Sequence, residues 1–234
     1  MVALPHFFCP MPNNGRNIKS AVIRIFILLR TYDPKPSSAH LIACISIFLM
    51  TGSFATASST DYHFITRWEL NASCEEVYRI LEDVEALADW WPSVYLNVKV
   101  IEKGQPGGIG KVVNLYTKGW LPYSLRWKFR VTEISFPSGF SLEAMGDFAG
   151  TGVWTFRQEG ATCVVTYDWR ISAEKPLLKK LTWLLRPIFS ANHEWAMCKG
   201  LESLQLELRR RRGEHGVPKP PAPTFPHNLL KSSM

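Results

Sequence analysis

The first sixty residues hold a single acidic side chain, Asp33, and contain no apolar stretch of the roughly 18 to 20 residues that a membrane-spanning helix requires. Ala21 to Leu29 is interrupted by Arg24, and Leu41 to Met50 gives way to Thr51, Gly52 and Ser53. The five cysteines (Cys9, Cys44, Cys74, Cys163, Cys198) include no CxxC pair, which excludes a zinc ribbon or a dithiol redox motif. They read as free thiols of a reducing compartment. No nucleophile elbow, phosphate loop or dinucleotide fingerprint occurs, and His193-Glu194 fails as a zinc motif because Met197 stands where the second histidine belongs. Neither a metal nor a cofactor is therefore expected. The formal charge is +7, but Arg209 to Arg212 is the one basic block, so no nucleic-acid partner is expected either.

Three readings of residues 1–60 stay open. The small-residue pattern Ala55-Thr56-Ala57 after the second apolar stretch fits a signal peptide, residues 41–57 could form a membrane anchor, and translation from Met50 would leave no anchor and a cytoplasmic domain. We take the cytoplasmic domain as the expectation, with membrane anchoring through Leu41 to Ala57 as the alternative. The chain then divides into an extension (1–60), one folded domain (61–212) and a Pro-rich tail (213–234) whose composition predicts disorder.

From Tyr62 the pattern is regular. Phe64, Trp68 and Leu70 alternate with Arg67 and Glu69, the period of a half-buried strand. Ser73-Cys74-Glu75-Glu76 is a capping box, and Val77, Ile80, Leu81 and Val84 supply the buried stripe of the helix it starts. A second helical turn carries Leu87 and Trp90 before Pro92. A run of strands follows with no helical period between them, hence an antiparallel meander. Its clearest member has Leu125, Trp127, Phe129 and Val131 alternating with Arg126, Lys128 and Arg130, and Gln158-Glu159-Gly160 marks its last hairpin. After Pro176 the period becomes helical to about Arg212. Pro187 should kink or restart that helix, and Met197, Leu201, Leu204 and Leu208 form its stripe. The segment beyond Pro187 would be about 40 Å long, enough to cross a small sheet.

Strand parity also separates the two faces of the sheet. If Trp127 and Phe129 point inward, Arg126, Lys128, Arg130, Asp168 and Arg170 point outward and the inner face is nearly free of charge. The expected cavity wall is Trp68, Tyr116, Trp127, Phe129, Leu142, Phe148, Trp154, Phe156, Tyr167 and Trp169, facing Met197 and Leu201 of the last helix. Such a wall suits an apolar small molecule, which is the partner expected. The candidate polar groups on it are His193, Tyr116 and Tyr167. The arginine block favours a helix C-terminus and is a candidate contact with anionic lipid.

The order of elements resembles the START-like helix-grip fold, an α+β architecture in which a sheet of about seven strands wraps around a long C-terminal helix. Asn71 to Tyr78 with Asp83 and Trp90-Trp91-Pro92, Gly107 to Gly110, Gly146 to Trp154, and Arg186 to Phe189 with Asn192-His193 resemble the polyketide cyclase/dehydrase group of the SRPBCC superfamily. That resemblance covers about 150 residues. It implies lipid carriage, ligand sensing or ring-closing chemistry without choosing among them. The leading expectation is binding or carriage of a lipid-like or aromatic molecule. A cyclase- or dehydratase-like enzyme and a membrane-associated lipid-binding protein are the alternatives.

Overall fold

The structure is a computed structural model that describes residues 61–121, 124–173 and 176–224, all within the second of two units, 1–59 and 60–234, into which the chain divides. The readings placed on residues 1–60 lie outside the described residues. Strand β1 (Asp61–Leu70) is followed by helix α1 (Cys74–Glu82), a 3-10 turn (Val84–Ala86) and the single-turn helix α2 (Leu87–Trp90). Then come β2 (Tyr95–Glu102), β3 (Val112–Lys118), β4 (Ser124–Ser135), β5 (Gly139–Gly146), β6 (Phe148–Glu159), β7 (Thr162–Ala173) and helix α3 (Pro176–Arg211).

Every strand pair is antiparallel, in the order β1-β7-β6-β5-β4-β3-β2. This is the helix-grip fold. Because β1 and β2 lie at opposite edges, the segment carrying α1 and α2 must cross from one edge of the sheet to the other. It begins as the capping box predicts: Ser73 Oγ accepts from the Glu76 amide, and the Glu76 carboxylate accepts from the Ser73 amide.

In β4 the alternation places Phe129 and Val131 inside and Arg126, Lys128 and Arg130 in solvent, until a register shift after Val131. The outward side chains pair with one another, as Arg130 with Glu102 and Arg170 with Asp168. Inside, Trp68 meets Trp91 and Trp154 at ring separations of 5.8 and 5.5 Å, within the range of favourable aromatic pairs.

Helix α3 runs through Pro187 as one element rather than restarting there. Met197, Leu204 and Leu208 are buried, and Leu201 is half-buried against the core. The closest approach is at Gly200, where a Cβ would lie 2.3 Å from the Trp91 indole. The helix is closed off by Gly213, whose φ of +78° suits a glycine, with Gly213 N–H donating to Arg210 O and Glu214 N–H to Arg209 O.

Two sequence expectations concern this end of the molecule. The arginine block is engaged within the domain: Arg209 with Glu214, Arg210 with Glu207, Arg211 with Asp83 and Glu207, and Arg212 with Glu76. Arg211 and Arg212 bind the end of α3 back onto α1 and the residue that follows it. The Pro-rich tail, expected to be disordered, is docked as far as Thr224. Pro218 O accepts from Arg210, Thr224 O accepts from Lys118 Nζ at 2.8 Å, and Thr224 Oγ1 donates to Gly119 O at 3.1 Å. Polar bonds to buried or helical partners order a segment too poor in apolar residues to form a core.

The reading of the cysteines as free thiols holds for two of them and needs correction at a third. Cys74 and Cys163 are free, buried and 2.9 Å apart, and burial raises the Cys163 thiol, so it is a core group and not a nucleophile. Cys198, in contrast, is disulfide-bonded.

This packing makes two changes informative. Gly200→Ala improves helix propensity by about 1 kcal/mol but overpacks Trp91, which is 2% exposed, at a cost of about 1 to 3 kcal/mol. Calorimetry should show a lower midpoint, and a higher one would mean that the indole yields. The Arg212 guanidinium, aided by the Ser73 amide, holds the Glu76 carboxyl down to about 2. A carboxyl lowered on folding stabilises above its ordinary value of 4.5, and that contribution is lost as pH falls toward 2. The effect is small because the pair is partly solvated. Urea titrations across that window should give a shallower pH slope for Glu76→Gln than for the native chain.

Candidate functional site

Between the sheet and the first described half of α3 lies a cavity of about 180 Å³. Strands β1, β4 and β7 contribute Phe64, Trp127, Tyr167, Trp169 and Ile171, and helix α3 contributes Phe189, Asn192, His193, Ala196 and Met197. Trp91 and Tyr95 line this cavity and also a second one of about 90 Å³ toward Phe129, Leu142 and Trp154, and so partition the interior. The cavity stops where the helix closes on Trp91 at Gly200, and beyond that point Ser203, Leu204 and Leu208 are packed solid.

The walls are aromatic for a physical reason. Alternate residues of β7 (Val165, Tyr167, Trp169, Ile171) share the inner face, and Tyr167 is stacked on Trp154 at 4.0 Å and on Trp169 at 5.5 Å. Trp127 touches Phe148 at 4.8 Å, and its indole N–H donates to Thr117 Oγ1. Rings locked by one another are too stiff to collapse into the space beside them.

Polar groups on the wall are few and mostly neutral. Burial raises the phenols of Tyr95 and Tyr167, and Tyr95 adds to the cost of ionising Tyr167, so both stay protonated. His193 stacks on Phe64 at 4.2 Å, with its Nε2 buried and without a hydrogen-bond partner. Desolvation alone lowers its imidazole to about 4. Part of the residue reaches solvent, but Nε2 does not. Trp91 Nε1 is likewise buried and unpartnered, an uncommon state for a polar atom and a natural contact for a ligand. Asn192 accepts from the Leu121 amide at 3.3 Å. Asp147 accepts from the Arg126 amide, in keeping with a turn residue. Lys118, 4% exposed, is the cation of the wall among the described residues.

The residues expected to form one wall are distributed over several places. Trp127, Phe148, Tyr167, Trp169 and Met197 line the larger cavity; Phe129, Leu142 and Trp154 line the smaller. Trp68 and Phe156 are buried in the core cluster, and Leu201 lies against it. Tyr116 is a correction. It pairs across the sheet with Arg126, whose guanidinium lies 4.6 Å over its ring, and its hydroxyl accepts from Ser124 on the outer face. Its neighbours Val113 and Leu115 take the inner positions. The sequence reading missed Tyr62, Trp91, Tyr95 and Lys118. Trp91 and Tyr95 flank a turn where no periodicity applies, and Lys118 is covered by chain more than one hundred residues away.

Comparison with known proteins places these features. The family model described as polyketide cyclase / dehydrase and lipid transport matches residues 70–195, more than half of the chain. No curated protein sequence matches. Among solved structures, an aromatase/cyclase, Zhui from Streptomyces sp. R1128, is 22% identical over 67% of this chain and 99% of its own, with a TM-score of 0.53. TTHA0849 from Thermus thermophilus is 19% identical over 64% of this chain and 99% of its own, also at 0.53. At these identities the likeness is one of fold. No helix among the described residues is long and apolar enough to cross a membrane.

The buried imidazole has a measurable consequence. A histidine held neutral by the fold protonates more readily when unfolded, so it lowers stability as pH falls from the ordinary 6.5 toward about 4. His193→Phe keeps a ring against Phe64 and should flatten the pH dependence of the unfolding midpoint in that interval. An unchanged slope would place the imidazole in contact with water.

Proposed function

The chain belongs to the polyketide cyclase / dehydrase and lipid transport family, and on that premise we propose that it binds a hydrophobic, ring-containing small molecule in the larger cavity. One observation carries this reading: a space of about 180 Å³ bounded by interlocked aromatic rings, on the face of the sheet from which nearly all charge is excluded. Stiff apolar walls with a few polar atoms are the usual make-up of a small-molecule site. Trp127, Phe148, Tyr167, Trp169 and Met197 are the proposed contact residues.

A cyclase-like activity is the second reading, favoured by the convergence of His193 and Tyr167 on one cavity. Binding fits better. An imidazole lowered to about 4 is a weak base at neutral pH, and a phenol raised by burial is a poor acid. Both serve well as neutral hydrogen-bonding groups that orient a ligand.

Titrating the full chain with phenylnaphthylamine, an uncharged fluorescent two-ring probe, should give saturable one-site emission and quench tryptophan. Ala196→Trp, which fills the cavity from the helix side, should abolish binding while leaving the far-ultraviolet circular dichroism unchanged. Absence of saturable binding to the native chain would refute the reading.

A further inference from the structure

Lys118 is the residue of the cavity that carriage of a purely apolar molecule leaves unexplained. It ends β3, lines the larger cavity and is 4% exposed, yet among the described residues no carboxylate lies within ion-pair distance of it. Its ammonium donates to one neutral group, the carbonyl of Thr224, at 2.8 Å. Burial lowers its affinity for a proton, and no neighbouring charge offsets the cost. Asp147, the carboxylate of the same wall, instead accepts from the Arg126 amide.

A buried cation without a paired carboxylate among the described residues selects for an anion, because the attraction between charges strengthens as water is excluded. The cover over Lys118 narrows the choice further. Thr224 already supplies a neutral carbonyl, so a ligand offering only another carbonyl would exchange like for like. An anionic oxygen replaces that bond with a charge-assisted one, about twice as strong. The tail segment is held at this point by two hydrogen bonds, Lys118 to Thr224 O and Thr224 Oγ1 to Gly119 O, so it can yield without unfolding the sheet.

We propose that the ligand is an apolar organic acid, seated with its rings against the aromatic wall and its anionic group on Lys118 in place of the Thr224 carbonyl. This rests on the binding role argued above and adds the charge of the molecule bound. The docked tail then acts as an internal competitor that keeps neutral hydrophobes from using the cation.

The test compares two probes on the full chain: phenylnaphthylamine, and anilinonaphthalenesulfonate, the same ring frame carrying one sulfonate. Each should displace the other from a single site, with the sulfonate bound ~10-fold or more tightly, as expected when a hydrogen bond becomes charge-assisted. Lys118→Met should erase that preference and retain phenylnaphthylamine binding, whereas Lys118→Arg should retain the preference. Equal affinity of the native chain for the two probes, or a preference that survives Lys118→Met, overturns the assignment and leaves the cavity reading standing. The native ratio decides even if a variant fails to fold. Failure of both probes to bind overturns the cavity reading and, with it, this proposal.

Discussion

The contact on which the architecture turns is that between Gly200 and Trp91. Lacking a side chain, Gly200 lets helix α3 come down on the indole of a residue held between Trp68, Trp90 and Tyr95. On the C-terminal side of this point the helix is packed solid through Leu204 and Leu208 and tied to α1 by Arg211 and Arg212. On the N-terminal side, the same helix lines open space through Met197, Ala196, His193, Asn192 and Phe189. One close approach therefore divides a single helix into a packed half and a cavity-facing half. The indole that receives it also separates the two cavities.

The stability of an open cavity depends on the stiffness of its walls. A space in a core of flexible aliphatic side chains tends to fill by rotamer changes, whereas rings stacked at 4 to 6 Å along β7 and across to β4 and β6 constrain one another. The cost is the dispersion contact that these rings forgo toward the empty side, and a bound apolar molecule restores it.

Much of the fold was legible because it rests on local or strictly periodic signals. Ser73 and Glu76 announce the start of α1, Gln158 to Gly160 the last hairpin, and the residues of β4 alternate so regularly that which of them face inward follows from the sequence. Parity failed at Tyr116. Val112 and Val113 are both buried, so the phase of β3 is ambiguous until its pairing with Arg126 is known. The site was less legible than the fold because its distinguishing groups depend on distant chain. Lys118 is buried by Thr224, Trp91 acquires its role from Gly200, and the arginine block, a candidate lipid contact when read alone, is matched by Glu76, Asp83, Glu207 and Glu214. A tail rich in proline and poor in apolar residues gives no compositional hint that hydrogen bonds hold it.

The central claim is that the sheet and the cavity-facing half of α3 leave a lasting, largely apolar space between them. Crystals of the full chain pressurised with xenon test it directly, because xenon enters dry apolar cavities large enough to admit it. The account predicts xenon density between Trp127, Tyr167, Trp169 and Met197 with these side chains unmoved. Density for Trp127 or Met197 in place of the gas, closing the space between sheet and helix, would contradict it.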